Sequence, residues 1–220
     1  MKAVSPVLPS STVPPSQADF KLWTPDQRLA SMREALRHWQ DGDDVWVFGY
    51  GSLIWRPEFE YVERRLATLH GHHRALCLWS RVNRGTPETP GLVFGLDRGG
   101  SCRGMVYRMA GAGVSDFFPK LWEREMSTGA YLPRWLRCTT DEGDVSALVF
   151  IMNRENPAYI SALPREELLA VVKRATGRYG ACTEYVLETH RALMDAGICD
   201  RQLASVAADL TGQDYAPGED

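Results

Sequence analysis

What the 220-residue sequence lacks narrows its role first. No uninterrupted apolar run approaches the roughly 20 residues that a membrane-spanning helix needs. The stretch Met1 to Asp19 has no apolar core of signal-peptide length; it carries Pro6, Pro9, Pro14 and Pro15 among Ser and Thr and is expected to be a disordered lead-in. There is no surplus of positive charge, since 25 Lys and Arg against 28 Asp and Glu leave a formal net charge of -3 with both signs well mixed. That excludes the basic field on which nucleic-acid binding rests and favours a small polar substrate. The five cysteines, Cys77, Cys102, Cys138, Cys182 and Cys199, include no Cys-x-x-Cys pair, so neither a zinc site nor a redox dithiol is indicated. An odd, scattered set fits reduced thiols in a cytoplasmic protein that engages neither membrane nor nucleic acid.

What is present centres on Val45 to Trp55, an apolar, strand-forming run that breaks into Gly49-Tyr50-Gly51-Ser52-Leu53. Trp46 to Phe48 read as strand and Gly49 to Leu53 as a tight loop. Glycines at 49 and 51 permit positive φ and let a ligand approach backbone N–H groups, so the loop is a candidate anion or oxyanion cradle. The same spacing also suits a plain corner between strand and turn. No Gly-x-x-x-x-Gly-Lys-Ser/Thr pattern follows and no third glycine opens a helix, which leaves little for a nucleotide site.

The length suits one domain able to bury a core without disulfide or metal support. The expected organisation is the lead-in over 1–19, an N-terminal helix within 20–44, the main domain over 45–212 and a frayed tail over 213–220. Thr24-Pro25-Asp26-Gln27 predicts a helix start with Thr24 as cap and Gln27 completing a capping box. Leu29, Met32, Leu36 and Trp39 then recur at helical spacing, a stripe expected to pack as core and to end at Asp41 to Asp44. Strands are predicted over Leu66 to His70, Arg74 to Val82, Leu92 to Leu96 and Gly104 to Met109, with Asp97 to Ser101 as a hairpin turn, so a small antiparallel sheet or barrel is expected. Asn83 to Gly91 is dense in turn formers. It reads as a surface connection, or as a loop whose Arg84, with Arg81 before it, holds a substrate carboxylate in a planar fork. His70, His72 and His73 raise a metal hypothesis, but no Cys or suitably spaced carboxylate completes a zinc set.

Val114 to Met126 predicts a helix starting near Ser115, because Pro119 fits best within about the first turn. Projected at 100° per residue, Phe118, Leu121 and Trp122 form one stripe with Glu125 in its middle, while Glu123 faces the opposite side. A carboxylate among large apolar side chains has its pKa raised toward the range useful for proton transfer. Glu125 is therefore either a candidate acid/base or a buried Glu satisfied by an arginine such as Arg134. Arg134 to Thr140 and Val145 to Met152 predict a strand pair, and Pro164 to Thr176, Ala181 to Ala196 and Asp200 to Leu210 predict helices. Strands followed by helices make an α+β domain.

Three stretches together, Val47-Phe48-Gly49-Tyr50-Gly51-Ser52-Leu53-Ile54-Trp55, Arg84-Gly85-Thr86-Pro87-Glu88, and Leu121-Trp122-Glu123-Arg124-Glu125-Met126 with Gly129-Ala130-Tyr131, resemble the ChaC family of γ-glutamylcyclotransferases. The resemblance runs from about Val45 to Leu210. It implies a small, mixed or antiparallel β-barrel flanked by helices, with no metal and no organic cofactor. It further implies that Gly49, Tyr50, Gly51, Ser52, Leu53 and Ile54 bind the γ-glutamyl group and that Glu125 is the acid/base. The implied reaction is conversion of glutathione to 5-oxoproline and Cys-Gly, with Arg81, Arg84 and Tyr131 as further candidates for substrate contact. Around Gly180 to Glu184 the family often has Asn where this chain has Cys182 or Thr183. A non-catalytic γ-glutamyl-binding module, a cyclotransferase for other γ-glutamyl peptides and a nucleotide binder using the glycine loop are the alternatives.

Overall fold

The computed structural model describes residues 20–212 and, ahead of them, Pro14 and Ser16. The expectations for the rest of the lead-in and for the tail over 213–220 lie outside the described residues. Helix α1 (Pro25–Ala35) begins with the predicted capping box, in which Gln27 N–H donates to Thr24 Oγ1 at 3.2 Å and Thr24 N–H donates to Gln27 Oε1 at 2.9 Å. It ends at Ala35 rather than at Asp41. Trp39 N–H turns back to the Leu36 carbonyl, and the Trp39 indole N–H is taken by the Asp43 carbonyl at 2.8 Å. No α1 side chain is fully buried; Met32, Leu36 and Trp39 half-cover a core cluster instead of forming it.

Five strands close a barrel: β1 (Val45–Gly49), β2 (Glu63–Ser80), β3 (Gly91–Met109), β4 (Tyr131–Thr140) and β5 (Gly143–Met152), in the order β1-β3-β2-β4-β5. β1 runs parallel to β5, and the other pairings are antiparallel. Asp97 to Ser101 is not a hairpin turn. It lies inside β3, with His72 opposite Arg98 and His70 opposite Ser101 across a register shift. Gly71, Gly99 and Gly100 all take positive φ there, at 82°, 97° and 68°, so both strands bend together where a chain reversal had been expected. A paired bend of this kind curls a long hairpin into a barrel wall. Gly71 also separates His70 from His72 at the shift, and among the described residues no group of three His, Cys, Asp or Glu is placed to hold a metal ion.

β1 is apolar throughout because both its faces are covered. Val45 and Val47 pack on helix α3 (Gly111–Glu125), and Phe48 enters the barrel core with Leu69, Leu96 and Val106. α3 starts four residues ahead of the predicted Ser115, its first N–H held by Asp44 Oδ1 at 3.0 Å. Pro119 therefore sits in the helix interior, where it forfeits one backbone hydrogen bond. The stripe of Val114, Phe118, Leu121 and Trp122, all at most 2 % exposed, holds the helix on the barrel despite that loss. The predicted C-terminal helices are present as α4 (Arg165–Arg174), α5 (Cys182–Asp195) and α6 (Arg201–Thr211). A two-rung hairpin, β6 (Thr176–Gly177) with β7 (Gly180–Ala181), joins α4 to α5. The result is the expected mixed barrel flanked by helices, and no described helix is long and apolar enough to cross a membrane.

Candidate active site

The expected glycine loop is shorter than its sequence suggests. Gly49 closes β1, and Ser52 already opens a single helical turn, α2 (Ser52–Trp55), leaving Tyr50 and Gly51 as the corner. Neither Gly49 nor Gly51 takes positive φ; Gly49 is needed for close approach, while Gly51 keeps the pocket wall free of a side chain. A Cβ at Gly49 would meet Leu53 Cβ and the Tyr107 ring at 3.1 Å, and one at Gly51 would lie 3.4 Å from the Tyr185 hydroxyl. The corner is fixed from behind by Arg74, 2 % exposed, whose Nε donates to the Tyr50 carbonyl at 2.5 Å while its other nitrogens reach the Arg103 carbonyl and Asp200. Because the peptide is planar and trans, a Tyr50 carbonyl drawn toward Arg74 sends the Gly51 N–H the opposite way. Within α2 the Ile54 N–H is taken by the Gly51 carbonyl at 3.0 Å, so the Ser52 and Leu53 N–H groups are the ones with no acceptor within the helix.

Tyr50, Gly51, Ser52 and Leu53 line a pocket together with Phe94, Glu125, Tyr131, Phe150 and Tyr185. Three phenols converge in it. Tyr50 donates to the Phe150 carbonyl at 3.1 Å, Tyr131 donates to the Phe94 carbonyl at 3.1 Å, and Tyr185 accepts the Phe94 N–H at 3.1 Å. β1 pairs with β3 only from Met105 to Met109, so the edge of β3 at Phe94 is left to these two tyrosines. Burial holds all three phenols well above their ordinary pKa, with the Glu125 charge adding to the effect, so they stay neutral and able to donate.

Glu125 ends α3 and is 16 % exposed, whereas Glu123 faces solvent, as the helical projection predicts. Burial raises the Glu125 pKa; the Arg124 guanidinium, its Nε 3.0 Å from Oε1, opposes this, and Glu58 adds to it. The partner is thus Arg124 and not Arg134, whose Nη1 donates to the neighbouring Pro133 carbonyl. A carboxylate of raised pKa that shares a pocket with the Tyr50 to Leu53 corner and with neutral phenols can take a proton from a bound amine and return it elsewhere.

Other sequence candidates lie outside this lining. Gly49 and Ile54 are the two ends of the corner and do not line the pocket. Arg81 is buried with its guanidinium 5.4 Å from the Phe20 ring centre. Arg84 lies over the outer part of Tyr185, 5.3 Å from the ring centre, and donates to the Ala181 carbonyl at 3.2 Å. The Asn83 to Gly91 loop is a packed element: a Cβ on Gly85 would fall inside contact distance of Gly91 N, one on Gly91 against the Arg84 carbonyl, and one on Gly177 against Gly85 N. Three backbones pass there without side chains between them, which seats Arg84 against α5. Cys182 is fully buried outside the pocket, its thiol donating to the Leu92 carbonyl at 3.1 Å and pushed up to about 11 by burial. Phe94, Phe150 and Tyr185 reach the pocket from distant segments and have no mark in the sequence; Arg124 was legible only as the neighbour of Glu125. A larger cleft of about 550 Å³ between α1 and β4 shares Tyr131 as a wall, but its carboxylate, Glu34, is exposed and paired with Arg37.

A closed barrel with a carboxylate-bearing pocket at the end of its first strand is a candidate small-molecule site, and comparisons with known proteins give the family of the chain. The sequence matches the family described as ChaC-like protein over residues 45–211, and the chain belongs to that family. It is 38% identical over 180 residues to the Escherichia coli protein named glutathione-specific gamma-glutamylcyclotransferase, a match spanning 81% of this chain and 78% of the relative. The rat protein named glutathione-specific gamma-glutamylcyclotransferase 1 is 31% identical over 171 residues, spanning 74% and 77%. In fold the chain is similar to a crystal structure of a γ-glutamyl cyclotransferase specific to glutathione from yeast, with a TM-score of 0.72, 20% identity and coverage of 80% of this chain and 99% of that one.

Proposed function

We propose that the protein is a glutathione-degrading γ-glutamylcyclotransferase in which Glu125 is the general acid/base. The observation that carries this reading is the sharing of one pocket by the Glu125 carboxylate and the Tyr50 to Leu53 corner, in a chain whose relatives bear that activity in their names. The substrate's free α-amine attacks its own γ-carbonyl carbon, forming the C–N bond of a five-membered ring. Glu125 accepts the proton that the amine nitrogen must lose, and the Gly51 N–H with those of Ser52 and Leu53 supports the oxygen that becomes an alkoxide. The carbonyl then re-forms as the bond to the cysteinyl nitrogen breaks. Glu125 returns its proton to that nitrogen, releasing 5-oxoproline and Cys-Gly. Holding the chain curled turns attack into an encounter within one molecule, which removes much of the entropic barrier. The neutral phenols of Tyr50, Tyr131 and Tyr185 orient the glutamyl polar groups. No protein nucleophile and no cofactor takes part.

Purified protein is incubated with glutathione and with a panel of γ-glutamyl amino acids and peptides, and 5-oxoproline and Cys-Gly are quantified. Equal amounts of both products from glutathione, with little turnover of the others, are expected. Retention of unchanged glutathione would make the protein a binding module, and faster turnover of other γ-glutamyl compounds would move the substrate away from glutathione.

A further inference from the structure

Arg124 is the most heavily engaged side chain beside the pocket. Its Nη2 donates to Ser52 Oγ at 2.9 Å, its Nη1 to the Arg56 carbonyl at 2.8 Å and to Glu58 Oε2 at 2.9 Å, and its Nε lies 3.0 Å from Glu125 Oε1. One planar group thus joins the end of α3, the first residue of α2 and the segment after α2. Glu58 takes positive φ, at 56°, alone among the non-glycine residues described. Such a conformation is disfavoured for a residue with a Cβ. Its carboxylate is held by Arg56 and Arg124, so a strained backbone is kept at the site of this junction.

We propose that Arg124 is a positioning residue for the cyclisation, fixing the Glu125 carboxylate relative to the Tyr50 to Leu53 corner so that proton acceptor and N–H donors keep one geometry. The inference rests on the proposed role of Glu125. Leu53 and, just past the segment, Phe59 pack on α3, with the Phe59 and Phe117 ring centres 4.7 Å apart, but apolar contacts are non-directional and do not fix the angle of a carboxylate as a hydrogen-bonded cross-link does. A guanidinium supplies the cross-link because its donors lie in a fixed fork. Lysine carries the same charge at one point and could meet one or two of these acceptors.

Geometry and charge make separable predictions. The groups facing Glu125 are Arg124 on α3, Glu58 after α2, Tyr50 at the corner, Tyr131 on β4 and Tyr185 on α5. The phenols are neutral at assay pH, so Arg124 and Glu58 set the charge around the carboxylate. Activity needs Glu125 ionised to accept the amine proton, so it is lost as pH falls through the Glu125 pKa. Removing Arg124 withdraws the attraction that favours the ionised form and moves that acid limb to higher pH. Removing the Glu58 charge moves it to lower pH.

The test is the pH profile of kcat and kcat/KM with glutathione for the parent, Arg124→Met, Arg124→Lys, Glu58→Gln, Glu125→Gln and the Arg124→Met/Glu125→Gln double variant, each checked for folding by melting temperature. Arg124→Met is expected to lose about 10²-fold in kcat, the scale of an ångström-sized misplacement, with KM little changed and the acid limb raised. Arg124→Lys should keep the limb near its parental place while kcat falls, and Glu58→Gln should lower it. The double variant should be no slower than Glu125→Gln alone, since Arg124 acts through Glu125. A folded Arg124→Met with parental kcat and limb overturns the proposal. So does a loss confined to KM, or a kcat loss with an unmoved limb and an additive double variant. If Arg124→Met does not fold, Arg124→Lys with parental kcat at every pH overturns it. Parental turnover by Glu125→Gln instead refutes the acid/base reading itself, which separates the two failures.

Discussion

Replacing Glu125 with glutamine isolates proton transfer from everything else the site does. Glutamine has almost the same shape, and its side-chain oxygen can still accept from Arg124 Nε, the contact now 3.0 Å long. It cannot take the amine proton. Positioned acid/base groups contribute about 10² to 10⁴ in rate, so kcat should fall at least that far, roughly 2.7–5.4 kcal/mol of barrier. Stability should move the other way. Burial raises the Glu125 pKa above its unfolded value, so the folded state keeps this proton to higher pH than the unfolded chain does. Stability is therefore lost as pH rises from the ordinary glutamate value, about 4.3, through the raised one, and the loss persists above it. Glutamine never ionises and escapes this loss. The melting temperature of Glu125→Gln relative to the parent should rise between pH 4 and pH 7. Turnover by 5-oxoproline release, glutathione affinity by calorimetry and melting curves across that range are measured for parent, Glu125→Gln and Glu123→Gln. The solvent-facing Glu123 is the control, and its loss should cost less than about tenfold, or 1.4 kcal/mol. Near-parental turnover in Glu125→Gln, or a folded and inactive Glu123→Gln, would refute the assignment.

Gly51→Val should abolish turnover, because a Cβ there already lies 3.4 Å from the Tyr185 hydroxyl and 3.7 Å from Phe94 Cβ, and the branched methyls must enter the pocket. Ser52→Ala, which removes one acceptor of Arg124, should cost less; parental turnover by folded Gly51→Val would remove the corner from the mechanism. Gly91→Ala should destabilise by about 3 kcal/mol or more, since its methyl group would collide with the Arg84 backbone. Gly113→Ala meets nothing within 4 Å in α3 and should stabilise by about 0.5–1 kcal/mol, both read by urea unfolding. Dialysis against EDTA should leave turnover intact, as no step of the cyclisation needs a Lewis acid; loss on chelation with rescue by one divalent ion would contradict that mechanism.

The parts of this protein legible in its sequence are those whose physics is local. The capping box at Thr24, the strand before Gly49, the amphipathic stripe that carries Glu125 and the three C-terminal helices depend on residues within a few turns of one another. What the sequence misassigned turns on what lies across from a residue. Gly99-Gly100 looks like a hairpin turn until Gly71 stands opposite and bends β2 in the same place, making one curved ladder out of four supposed strands. Pro119 suggests a helix beginning at Ser115, but Asp44 holds the Gly111 N–H and the buried stripe outweighs one missing hydrogen bond. The same distinction runs through the site. Glu125 could be found because its own helix places it on an apolar face. Of its phenol neighbours Tyr50 and Tyr131 came only from the family resemblance and Tyr185 not at all, because the three meet through the backbone of Phe94 and Phe150 on strands that the barrel brings alongside. Arg74 is the extreme case, an arginine on a strand whose side chain reaches the Tyr50 carbonyl on one side and Asp200, the cap of α6, on the other. Burying it without a carboxylate would cost several kcal/mol. The last helix therefore contributes to the pocket although none of its residues lines it: Asp200 satisfies the charge that holds the corner in place.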